Sequence, residues 1–214
     1  MVATVGKDGI LRTLDKRTHQ PLYETPITTI LNADIPVTRE GVVACPGVTG
    51  GVLWSSPAYH PGEKILLTSS IDYCSRFRAA GDVRFIPGQL YMGGDARHEG
   101  DMSGWITAVD VESGETRWKH QTEFPNVAAV TTTAGGLAIS GTLAGDLLFF
   151  DVATGAVLNS IATGAQIGGG NISYSVEGKQ HIAVGSGLGM LTIRPPQLGL
   201  PRQSSIIVYA LPSN

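Results

Sequence analysis

Few residues in this 214-residue chain have the type and spacing to do chemistry. Lys7 stands in Gly6-Lys7-Asp8-Gly9, a tight turn that holds out an ammonium group; taken alone it reads as a solvated turn lysine. Cys45 and Cys74 are the only cysteines. They are two buried thiols if the protein lives in a reducing compartment, and a bridge if it is exported. His19, His60, His98, His120 and His181 share no ligand spacing and no Cys-x-x-Cys accompanies them, so no metal site is expected. Gly168-Gly169-Gly170 and Gly185-Ser186-Gly187-Leu188-Gly189 lack the Lys-Ser/Thr and the helix of a phosphate loop, and the stretch around Gly187 reads as a glycine-rich connection. There is no Gly-x-Ser-x-Gly elbow. Asn171-Ile172-Ser173 is a glycosylation sequon in form, expected to be silent in a chain of bacterial character. No catalytic residue emerges from these types alone.

Three aspartates, Asp15, Asp110 and Asp151, look like a carboxylate set only in number. Each opens the same pattern: Thr or Ser three residues later (Thr18, Ser113, Thr154), a turn residue at the fourth (His19, Gly114, Gly155), and Tyr23, Trp118 or Asn159 at the eighth. Asp and Ser/Thr at this spacing accept turn amides, and glycine supplies the positive φ that the turn requires. The carboxylates are therefore turn formers, not acid–base groups. Asp110 and Asp151 stand 41 residues apart (151 − 110), whereas Asp15 and Asp110 stand 95 apart (110 − 15), two periods of about 47 with room for a divergent unit between them. A strand–turn–strand repeat of this period predicts a β-propeller array, in which an aromatic ending the returning strand packs on the next blade.

The remaining strands fall on short apolar runs: Ile65–Ser70, Gly136–Ser140, Gln180–Gly185 and Ile206–Leu211. With 28 Gly and 12 Pro scattered between such runs and no helical pattern of four turns, the chain is expected to be all-β. About four four-stranded antiparallel blades are expected, in a single propeller region spanning 1–214. A hydrophobic share of 42% excludes a disordered chain. A net charge of −3, from 15 basic and 18 acidic residues, disfavours a nucleic-acid or anionic-membrane surface. No apolar run is long enough to cross a bilayer. The N-terminus reads as a strand already in progress, without a secretory leader.

In order along the chain, these features resemble the C-terminal half of the pyrroloquinoline quinone (PQQ) dependent alcohol dehydrogenases, the eight-bladed quinoproteins. Ala108 to Trp118 resembles that family's tryptophan-docking motif, Ala-x-Asp-x-x-(Thr/Ser)-Gly-x-x-x-Trp. Gly6-Lys7-Asp8-Gly9 with Leu14-Asp15 resembles its Lys-Asn-Gly turn and following strand. Cys45-Pro46, Gly50-Gly51-Val52-Leu53-Trp54 and Pro57-Ala58-Tyr59-His60-Pro61 resemble its Cys-Pro, Gly-Gly-x-Asn-Trp and Ala-Tyr-x-Pro segments. Thr132–Leu137 and Gly178–Val184 resemble two later signatures.

The resemblance implies an oxidation of a primary alcohol by PQQ, with electrons passed to a periplasmic cytochrome c. It implies that Lys7 lies against the quinone oxygens, that Leu53 and Trp54 fall where Asn-Trp borders the cofactor, and that the loop around Gly187 approaches it. Leu53 departs from the Asn, so one amide contact would be lost. A Cys45–Cys74 bridge, a periplasmic home, and a Ca²⁺ or related ion acting as Lewis acid on the quinone are likewise implied. The catalytic Asp and the metal ligands are expected upstream of residue 1, so the isolated chain is expected to be inactive. The alternative is a non-catalytic propeller that binds protein or scaffolds an assembly, closing its ring by self-association, for which Leu53 and the drift from Trp to Tyr23 and Asn159 speak.

Overall fold

The computed structural model describes residues 1–82, 84–89, 92–187, 199 and 203–210. It is an all-β partial propeller, with no helix among the described residues. Blade one is the meander β1 (Val2–Val5), β2 (Ile10–Leu14) and β3 (Pro21–Pro26). Blade two is built on β6 (Ile65–Ala79) and β7 (Gly94–Asp110), flanked by β8 (Thr116–Thr122), β4 (Val42–Ala44) and β5 (Ala58–His60). Blade three holds β9 (Val130–Thr132), β10 (Leu137–Gly141), β11 (Asp146–Asp151) and β12 (Val157–Ala162) in consecutive order. Blade four is β13 (Asn171–Val176), β14 (Lys179–Ser186) and β15 (Ser205–Ala210). The four apolar runs read from the sequence coincide with β6, β10, β14 and β15, except that Leu211 lies outside the described residues.

The 95-residue interval contains no additional blade. Blade one packs directly on blade two, and the extra length goes into an elongated hairpin. β6 and β7 stay paired from Ile65–Asp110 out to Ala79–Gly94, with β5 against the base of β6 and β4 against its distal half. The period missed this because the distal arm (Arg76, Arg78, Asp95, Arg97, Glu99) is charged and carries no blade-like alternation.

The repeat turns are as the spacing requires. Asp15 Oδ1 accepts from the amides of Arg17 and Thr18, Asp110 Oδ1 from Glu112 and Ser113, and Asp151 Oδ1 from Ala153 and Thr154. A register shift falls just before each turn, at Thr13/Leu14, Ala108/Val109 and Phe149/Phe150. Gly114 and Gly155 have φ of 77° and 73°, and His19 shares that region at 59°.

These glycines have a second reason that the pattern did not show. A Cβ on Gly114 would lie 2.4 Å from the Tyr23 ring, and one on Gly155 would lie 2.5 Å from the Trp118 ring. Each aromatic therefore docks flat on the next blade's turn. Trp118 Nε1 donates to Val152 O at 3.0 Å, and the Tyr23 hydroxyl to Val111 O at 3.1 Å.

Between blades the inward faces form apolar layers. Leu11, Leu66 and Val109 join blades one and two; Leu67, Ile106 and Phe150 join two and three; Ile139, Phe149 and Val184 join three and four. On the opposite face of blade four, Ile172, Ile206 and Val208 are exposed.

Asp110 is the most heavily bonded of the turn aspartates. The Ser113 amide, the Arg117 guanidinium and the Glu112 amide outweigh burial and hold its carboxyl well below the usual carboxylate range. The unfolded carboxyl takes up a proton near pH 4 and the folded one only at lower pH, so this contribution is complete above about pH 4 and is lost on further acidification. Urea midpoints at pH 3 and pH 6 should therefore differ by less in Asp110→Asn than in the wild type; an equal difference would show that Asp110 does not shape the acid limb.

Candidate functional site

The turn carrying Lys7 closes with Gly9 N donating to Gly6 O at 3.0 Å, at a Gly9 φ of 73°. A strap, residues 45–52, lies across it. Gly51 N donates to Lys7 O at 2.8 Å and Val52 N to Gly6 O at 3.2 Å. Two glycines make this approach possible. A Cβ on Gly50 would stand 2.8 Å from the Lys7 Cα at a φ of 89°, and one on Gly51 would stand 2.5 Å from the Gly9 Cα. The strap begins at a cis Cys45–Pro46 peptide, and Cys45 is joined to Cys74 of β6 by a disulfide. Lys7 is exposed, and its Nζ donates to Thr49 O at 3.2 Å.

Beyond the strap the chain turns two neighbours in different directions. Leu53 packs inward against the cluster of Ile71, Tyr73, Phe124, Val127 and Leu143. Trp54 is 56% exposed and walls a cleft of about 530 Å³. The rest of the lining comes from the β12–β13 loop (Gln166, Gly168, Gly169), the end of β14 (Ser186, Gly187) and the start of β15. Gly187 N donates to Gln166 O at 2.7 Å, and a Cβ on Gly187 would stand 2.4 Å from the Ser204 Cα. Of the four residues the resemblance marks for cofactor binding, Trp54 and Gly187 therefore share a cleft. Lys7 and Leu53 are outside its lining, tied to it through the strap.

Gln166 was not singled out by the sequence, because a lone glutamine in a loop carries no pattern. It is 4% exposed, and its Oε1 has no hydrogen-bond partner among the described residues. These features bear on the fit to a planar heteroaromatic group. Trp54 and the glycines 168, 169, 185 and 187 line the same cleft, and a Cβ on Gly169 would meet nothing within 4 Å, so there is open space beside that backbone. Gln166, whose buried carbonyl oxygen is unpaired among the described residues, is part of the lining. Together they fit one wall of such a group. Among the described lining residues there is no charged side chain, and among the described residues no group of three or more His, Cys, Asp or Glu could hold a metal ion. Among the described residues no helix is long and apolar enough to cross a membrane.

Fold and cleft together define a partial β-propeller with a cleft, lined by Trp54, where loops of blades two and four converge. No family model matches the chain. It is 29% identical over 206 residues to the lanthanide-dependent methanol dehydrogenase of Methylacidiphilum fumariolicum (strain SolV), covering 86% of this chain and 34% of that enzyme. Its fold matches a europium-containing methanol dehydrogenase with a TM-score of 0.81 at 23% identity, over 96% of this chain and 44% of that one. It also matches the quinohemoprotein alcohol dehydrogenase of Comamonas testosteroni with a TM-score of 0.86 at 18% identity, over 95% and 34%. The chain is similar to lanthanide-dependent methanol dehydrogenases and a quinoprotein ethanol dehydrogenase, as its motifs imply, and spans between 27% and 34% of their length.

Proposed function

We propose that these residues form one wall of the cofactor site of a PQQ-dependent alcohol dehydrogenase that oxidises a primary alcohol and passes electrons to a cytochrome c in the periplasm. The observation that carries the reading is the cleft that Trp54 and Gly187 line together, with the Lys7 turn locked to the strap that leads into Trp54. When bound, PQQ supplies the hydride-accepting carbonyl chemistry, with Ca²⁺ or a related ion as Lewis acid. Trp54 offers a stacking face and excludes water from it. Gly187, without a side chain, lets backbone approach the ring plane. Lys7 holds a positive charge, which stabilises negative charge developing on a carbonyl oxygen. Leu53 contributes apolar support beneath the strap and no amide. We assign the general base and the metal ligands to parts of such an enzyme that these 214 residues do not cover, and treat the whole chain as one propeller region.

Calorimetric titration of the purified chain with PQQ in Ca²⁺ buffer tests this. Lys7→Ala is expected to weaken binding at least tenfold, or about 1.4 kcal/mol. A folded chain that takes up no PQQ would overturn the proposal. The second reading, a non-catalytic scaffold, would then stand; it is favoured by the inward-packed Leu53 and by the exposed apolar residues of blade four, on which copies could associate.

A further inference from the structure

A lysine ammonium on a flexible four-carbon stem is a poor electrostatic device unless something holds it. Lys7 is exposed, and the described hydrogen bond of its Nζ goes to a backbone carbonyl, that of Thr49. The precision of the cation is therefore the precision of the Thr49 peptide. The peptide that bears this carbonyl is tied by Gly50 N donating to Gly47 O at 2.8 Å, and the amide and hydroxyl of Thr49 itself are held by one side chain. Thr49 N donates to the Tyr73 hydroxyl at 3.0 Å, and the Thr49 hydroxyl shares a second, short hydrogen bond with the same phenol oxygen.

Tyr73 is well suited to that grip. It lies on β6, the central strand of blade two, and is 5% exposed. Its ring fills the space where a Cβ on Gly47 would come within 2.3 Å, so the strap lies directly on the ring. On its other side the ring contacts His98 with centroids 5.5 Å apart. Both described partners of its hydroxyl are atoms of Thr49, so the phenol oxygen has no other described use. The strap's opposite end is held independently, by the Cys45–Cys74 bridge and by Gly47 N donating to Tyr73 O at 2.8 Å.

We infer that Tyr73, acting through Thr49, is the positioning residue for the Lys7 ammonium. The inference rests on the reading of Lys7 as the cation that faces the cofactor. A positioning role differs from a merely structural one in what the loss of the hydroxyl does. Tyr73→Phe keeps the ring, the Gly47 contact, the Gly50 N–Gly47 O bond and the disulfide, so the strap stays attached while Thr49 loses both hydrogen bonds to the phenol and its carbonyl is held less closely.

Two readouts test it. The first needs no cofactor: competitive acetylation by acetic anhydride, read by mass spectrometry as the rate at Lys7 relative to exposed Lys16. Tyr73→Phe is expected to raise that ratio at least about twofold, the scale of one modest hydrogen bond. The second is a double-mutant cycle on PQQ affinity. Tyr73→Phe should weaken binding severalfold beside Lys7 and leave it unchanged beside Lys7→Met. An unchanged acetylation ratio, or equal losses in both backgrounds, overturns the inference. If wild-type protein binds no PQQ, the cofactor reading fails, while the acetylation ratio still decides the positioning claim. Should Tyr73→Phe not fold, Thr49→Val removes the other hydroxyl and keeps the peptide. A raised ratio in that variant supports the inference and an unchanged one overturns it.

Discussion

Replacing Trp118 with Ala is expected to lower the unfolding free energy by about 3 kcal/mol or more, within the range for truncating a large packed aromatic. The indole has three attachments. It lies over Gly155 of the next blade, stacks on Phe150 with centroids 6.0 Å apart, and donates to Val152 O. Phe150 is fully buried at the centre of the layer between blades two and three, so losing the indole opens that layer to water. Gly155→Ala should do similar damage from the other side. Its Cβ would overlap the indole, and Ala at a φ of 73° is strained even where there is room. Urea denaturation followed by near-ultraviolet circular dichroism measures both. A loss below about 1 kcal/mol for either would mean that the blades are held by their apolar layers and that docking is incidental.

Opening the Cys45–Cys74 bridge has the next largest expected effect. It closes a loop with a sequence separation of 29, worth about 3–4 kcal/mol in the chain-entropy account. That loop contains the strap, the Trp54 wall and β5, so the bridge closes off in the unfolded chain the segment that carries the candidate site. Denaturation of wild type in the presence and absence of reductant, beside Cys45→Ala/Cys74→Ala, should show the reduced and mutant forms unfolding together at lower urea. Coincident curves with and without reductant would contradict the assignment. Because the strap bears on Lys7 through Thr49, cofactor affinity should be less sensitive to the bridge than stability is.

Much of the architecture was legible because turn chemistry is local. Asp15, Asp110 and Asp151 act within three residues of themselves, so their spacing alone identified the turns and, through them, the blades. The docking of Tyr23 and Trp118 followed from the same repeat. The hairpin arm did not, since an exposed two-stranded extension has no buried face to impress a period on its residues, and a 95-residue interval divides as well into two units as into one long one. The site was half legible. Trp54, Gly187 and the cysteine pair could be marked through family motifs, and the structure places the first two together and bonds the last. Gln166 and the Thr49–Tyr73 grip could not be seen, because each depends on residues far apart in the chain meeting across loops. Gly50 and Gly51 were visible only as a motif fragment and Gly47 not at all, and their cause, contacts with Lys7, Gly9 and Tyr73, is tertiary.

The most direct test of the cofactor-wall reading is the crystal structure of the chain soaked with PQQ and Ca²⁺. It should show the quinone stacked on Trp54, with glycine backbone from the Gly187 side against its rim and the Lys7 ammonium directed at it. Difference density in that cleft would support a quinoprotein site. PQQ bound elsewhere, or a cleft closed over Trp54 by another copy's blade-four face, would contradict it.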